Sequence, residues 1–167
     1  INDGFRHSFT QPFHSSLGLA VYSCGIQKCS AGHSWGPAVR DHYLIHCVTS
    51  GKGVFSFGGS DYRLAGGDGF LLTQRIASYA ADNESPWQYC WIGFNGTDAK
   101  RLVELTGLSY ENPIFILPAR LPDRLEQICH LSCATHSNEA RVQAGLLLFL
   151  ADLMDSFGSS SSSHHAS

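Results

Sequence analysis

Between Gly32 and Gly96 the chain is a series of short runs rich in β-branched and aromatic residues, each ended by glycine. The runs read GHSWGPAVRDHYLIHCVTSGKGVFSFGG, SDYRLAGGDGFLLTQRIASYAADNESPW and QYCWIGFNG. Glycine reaches the left-handed backbone conformations that tight hairpins require, so it marks where strands turn. Six strands are expected here: DHYLIHCVTS, VFSFGG, DYRLAGG, GDGFLLTQ, ASYAAD and QYCWIGFNG. LGLAVYSCGIQKC precedes them as another, and His33 to Pro37 reads as a turn-rich connection. Short strands at this spacing read as a small β-barrel and point to a sandwich or jelly roll with an internal cavity.

Past Asn95 the periodicity changes. TDAKRLVELTGL places apolar residues at helical spacing, with Thr97 or Asp98 as N-cap, and NPIFILP is a short β-like piece. Two helices follow. One runs from Pro122 to about Thr135, with Leu121, Leu125, Ile128 and Cys129 on one stripe. The other runs from about Ser137 to Ser156, with Val142, Leu146, Phe149, Leu150 and Leu153 on one stripe, and the short link predicts an antiparallel hairpin. Leu147, Leu148, Ala151 and Met154 give the last helix a second apolar face, which needs a second partner. A homodimer through this helix is expected, with Leu146, Phe149, Leu150 and Leu153 as its contact residues. The chain divides into an arm (1–16) that docks by Phe5, Phe9 and Phe13, a barrel (17–96), a helical dimerisation region (97–157) and a flexible Ser-rich tail or linker (158–167), after which another domain would start.

Composition narrows the function. With 43% hydrophobic and 15% charged residues the chain is globular, with surface left for a partner. Its 11 Lys and Arg are scattered and its net charge is −3, so this segment does not grip a phosphate backbone by itself. No apolar run is long enough to span a bilayer and the first residues lack the layout of a signal peptide, so the expected location is the cytoplasm. The six cysteines read as reduced core thiols, since C-x4-C and C-x3-C are not paired zinc spacings.

The candidate site lies in the barrel. Trp35, His42, Tyr43, His46, Tyr79, Trp87, Tyr89 and Trp91 supply flat apolar faces and neutral hydrogen-bonding groups, which suit an uncharged polyhydroxylated ligand such as a sugar. Tyr89 and Trp91 alternate along one strand and share a face. His42 and His46, four apart in a strand, share a face at about 13 Å, too far to chelate together. No G-x-S-x-G elbow or carboxylate pair is present, and the GGD and GKG runs are turns, not phosphate loops. The glycine-rich segments resemble cupins, whose metal ligands are an H-x-H pair, a Glu and a distant His. Those positions fall at Ala38, Arg40, Leu44 and about Ser78, so no metal and no cofactor are expected.

Taken together, GHSWGPAVRDHYLIHCVTSGKG, GGDGFLL and PWQYCWIGFNG resemble the N-terminal effector-binding half of AraC-type transcription regulators, of the subgroup that senses sugars. The resemblance implies a cupin-like double-stranded β-helix followed by dimerising helices, an arm that folds over the effector, and DNA binding only through a separate C-terminal helix-turn-helix domain. It places the stacking Trp at Trp91, a polar ring at Tyr89 and a pocket Tyr at Tyr79. A sugar-binding Arg falls near Trp35 or at Arg40. His46 and His42 join them by strand parity. The reading is a sensor, not an enzyme. The alternative is a small cupin-fold enzyme acting on a carbohydrate.

Overall fold

The computed structural model describes residues 4–10, 18–131 and 135–162. Along the chain run β1 (Arg6–Thr10), β2 (Ala20–Lys28), β3 (Ser34–Ala38), β4 (Tyr43–Ser50), β5 (Lys52–Phe57), β6 (Ser60–Ala65), β7 (Asp68–Leu72), β8 (Ala77–Ala81), β9 (Gln88–Asn95), α1 (Ala99–Leu105), β10 (Ile114–Ile116), α2 (Leu121–Cys129) and α3 (His136–Ser162). The strands form two antiparallel sheets, ordered β1-β2-β9-β4-β7-β10 and β3-β8-β5-β6. They face each other as a cupin-like barrel, with the helices behind the six-stranded sheet.

That sheet is buried on both faces, and strand parity sorts its side chains. Leu44 and Val48 of β4, Phe70 and Leu72 of β7, and Tyr89 and Trp91 of β9 point into the barrel, where Phe55, Tyr79 and Trp87 meet them. Ile45, Cys47, Cys90, Ile92 and Phe94 point the other way, against Leu121, Leu125 and Ile128 of α2 and Val142, Leu146, Phe149, Leu150 and Leu153 of α3. Five cysteines, Cys24, Cys29, Cys47, Cys90 and Cys129, are free and buried. Burial pushes the Cys24 and Cys47 thiols well above the usual range. Cys133 lies outside the described residues.

Four sequence expectations need correction. The His33–Pro37 connection falls largely in strand β3, at the edge of its sheet and irregular between Trp35 and Ala38; an edge tolerates a proline, which has no N–H to give to the ladder. The arm does not dock mainly by its aromatics, because β1 pairs with β2 along its whole length. Phe9 packs on the helical core, Phe5 is exposed and Phe13 lies outside the described residues. The second helix ends at Cys129, not near Thr135, and α3 runs to Ser162, past Ser156 and into the serine-rich tail, since extending a formed helix costs far less than starting one.

The fourth correction concerns the expected dimer contact. Leu146, Phe149, Leu150 and Leu153 are fully buried within the monomer, whereas Leu147 and Leu148 are 49% and 50% exposed. Both faces of GLLLFLADLM are apolar, so periodicity alone does not say which one meets the barrel. The face carrying Val142 and Phe149 is the one that does.

Candidate functional site

A half-open cavity of about 370 Å³ lies inside the barrel against β1, β2, β4, β9 and the β3 edge. All seven residues expected at the site, Trp91, Tyr89, Tyr79, Arg40, His46, Trp35 and His42, line it. Arg40 and His42 do so from the connection preceding β4, not from the strand itself.

His46 is at the centre. Its ring stacks on Phe70 at 4.7 Å and 2°, meets Tyr89 edge-on at 4.7 Å, and has Tyr79 at 5.0 Å and Trp91 at 6.4 Å. Burial, aided by the Arg40 charge, lowers its pKa to about 3, so the imidazole is neutral and carries one donor and one acceptor. Its Nδ1 is buried without a hydrogen-bond partner, as is Arg40 Nε. Buried polar atoms left unpaired are costly, and the two residues that carry these both line the cavity.

Around this centre the aromatics hold one another in place. Trp35 lies between the Arg40 guanidinium, 4.2 Å over its ring, and Tyr79, stacked at 5.6 Å. Burial pushes the phenols of Tyr79 and Tyr89 up, keeping both protonated. Tyr89 donates to Gln27 Oε1 at 3.4 Å. The His42 ring is anchored by Asp41 at 2.7 Å. An ionised carboxylate only accepts, so Nδ1 donates and a neutral ring keeps Nε2 as an acceptor. The same hydrogen bond holds the Asp41 carboxyl below its ordinary range.

Two glycines make the room. A Cβ on Gly25 would lie 2.2 Å from the Trp91 indole, and one on Gly93 would lie 3.1 Å from the His42 ring. The indole therefore leans over β2, as no larger residue at Gly25 would allow, and the imidazole lies close over β9 at Gly93.

Sequence reasoning missed the contribution of β1 and β2. Arg6, Thr10, Tyr22, Ser23 and Gln27 line the cavity, with His33 and Ser34 at the start of β3; Arg6 lies 5.0 Å over the Trp91 ring. A signal existed in AVYSCGIQK, where Ser23, Gly25 and Gln27 alternate with the apolar Cys24 and Ile26. Tyr22 joins Ser23 on the cavity side because the register shifts between Val21 and Ser23, and such a bulge turns two successive residues the same way. Among the described residues no three His, Cys, Asp or Glu gather as a metal site would require.

A barrel with a polar cavity on one face of a sheet and helices on the other is the plan of an effector-binding domain. This chain belongs to the AraC-like ligand binding domain family, which matches residues 20–150. It is 40% identical over 95 residues to the Msm operon regulatory protein of Streptococcus mutans, covering 56% of this chain and 34% of that protein. It is 32% identical over 121 residues to the lactose operon transcription activator of Staphylococcus xylosus, covering 70% and 43%. The raffinose operon transcriptional regulatory protein of Pediococcus pentosaceus is 39% identical over 74 residues, covering 42% and 27%. The chain thus spans less than half the length of these curated relatives. Among solved structures, a cupin superfamily protein from Desulfitobacterium hafniense aligns with a TM-score of 0.43 at 13% identity, covering 55% of this chain and 77% of that one.

Proposed function

We propose that the cavity binds a sugar, and that this chain is the effector-sensing, dimer-forming part of a cytoplasmic transcription regulator that contacts DNA through a further helix-turn-helix domain. The observation that carries the reading is the cavity's composition. Aromatic faces stand beside neutral donors and acceptors, with His46 Nδ1 and Arg40 Nε buried and unpartnered among them. Sugars present an apolar C–H face and a rim of hydroxyls, and such a wall answers both. Three relatives named as operon regulators, two of them of sugar operons, support the same reading. Trp91 is the stacking platform, while Arg40, His46, Tyr79 and Tyr89 bond hydroxyls; Trp35 and His42 close the wall.

The mechanism is binding and a shift of population, not chemistry. No Asp or Glu lines the cavity among the described residues, so it lacks the carboxylate pair of a glycosidase. β1 carries Arg6 and Thr10 on the cavity side and bonds the helical layer through His7 Nε2 and the Cys129 carbonyl at 3.1 Å. A ligand held by β1 favours the arrangement in which the strand is docked, and only that difference in affinity moves the equilibrium. Dimerisation falls to the outer stripe of α3, with Leu147 and Leu148.

A second reading has one observation in its favour. Arg6 and Arg40 with no carboxylate in the wall also suit a saccharide carrying an acid group. A thermal-shift screen pairing neutral sugars with their acids, such as galactose with galacturonate and lactose with lactobionate, tests both. Selective stabilisation by neutral members is expected, since a ligand of the folded state raises its melting temperature by mass action. Stabilisation by the acids alone favours the second reading, and none with any member contradicts both.

A further inference from the structure

Resting on the sugar reading, we infer that the cavity is built for a saccharide of at least two rings rather than for a monosaccharide. The register of the large sheet places two polar rows across its inner surface. In the first, Arg6 pairs with Gln27 and Gln27 with Tyr89. In the second, Thr10 pairs with Ser23 and Ser23 with Gly93, over which His42 lies. Every one of these side chains lines the cavity. The rows are four residues apart along β1, β2 and β9, about 13 Å at the strand rise. Between them runs the row Ser8, Gly25, Trp91 and His46, to which β2 gives no side chain and β9 the indole. Along β2 and β9 the wall therefore alternates polar, aromatic and polar, with His46 of β4 beside the aromatic row.

With covalent bonds of about 1.5 Å, a pyranose ring spans roughly 5 Å between opposite oxygens. Seated on Trp91, where Arg6 of the first row and His46 reach it, it leaves the row of Thr10 and Ser23 unmet, whereas a second linked ring extends into that row. The number of partners agrees. Twelve of the fifteen lining residues end in a hydroxyl, amide, imidazole or guanidinium group. A hexose carries about half as many oxygens, a disaccharide about as many. The volume of about 370 Å³ is that of a pocket for a drug-sized molecule, as a disaccharide is.

Calorimetric titration of the 167-residue chain with galactose, glucose, lactose, melibiose and raffinose tests this. At least one of the last three should bind 10-fold or more tightly than either hexose. Gln27→Ala and Ser23→Ala, one from each row, should each weaken that ligand by about 3- to 10-fold, with melting temperatures of the unliganded variants confirming that both fold. A hexose that binds as tightly as every larger sugar overturns the inference and leaves the sugar reading intact, as does a di- or trisaccharide indifferent to one row. Failure of all five to bind overturns both.

Discussion

The two faces of the six-stranded sheet are made by the same strands and differ in almost every physical respect. The outer face, with Ile45, Cys47, Ile92 and Phe94, is covered by α2 and α3 and reads as a plain core. The inner face, one residue along on each strand, carries His46, Tyr89, Trp91 and Gly93, with Gln27 and Ser23 on β2. Thr10, Arg6 and Ser8 continue it onto the arm. The unpartnered His46 Nδ1 and Arg40 Nε belong to this side. One face is covered by the helices and the other opens on the cavity, which separates stability from binding by parity.

The largest effects should come from the covered face. Phe149→Ala removes a fully buried ring from the helical layer and should cost about 3–5 kcal/mol in denaturant unfolding. Gln27→Ala, on the half-buried inner face, should cost under about 1 kcal/mol. Equal losses would dissolve the contrast between the faces.

His46 sharpens it in another way. Its pKa is about 3 when folded, against about 6.5 in an unfolded chain. Between these values the unfolded state holds the extra proton, so stability falls as pH drops from about 6.5 toward 3. From this residue alone the slope reaches about 1.4 kcal/mol per pH unit. Unfolding measured at pH 7, 6 and 5 should show a loss of stability that steepens toward that slope in the wild type and is smaller in His46→Leu. Parallel curves would mean that the ring is not held neutral by burial.

The smallest change in stability is expected on the outer stripe of α3. Leu148→Glu, at a half-exposed site, should alter unfolding by no more than about 0.5 kcal/mol yet shift sedimentation toward monomer. Leu150→Glu, two residues on and fully buried on the opposite side of the helix, should instead fail to fold. A dimer untouched by Leu147→Glu and Leu148→Glu together would place the interface elsewhere.

Much of this was legible in the sequence, for reasons that can be named. Glycine turns and period-two runs gave the barrel strands, and parity in QYCWIGFNG put Tyr89 and Trp91 together. It worked because β9 is regular where they sit. What stayed hidden depended on non-local facts. Arg6 and Thr10 enter the site only because β1 pairs with β2, a contact across a segment without local pattern. Tyr22 enters through a bulge. The side of α3 that meets the barrel was undecidable from period 3.6 with both faces apolar, and the four leucine and phenylalanine positions first assigned to the dimer are core.

The most direct test of the central claim is thermal denaturation of the wild type and Trp91→Ala, with and without the best-binding sugar from the titrations. A clear upward shift is expected in the wild type and none in the variant, which still melts cooperatively without ligand. A shift of the same size in Trp91→Ala would show that the sugar binds somewhere other than the cavity.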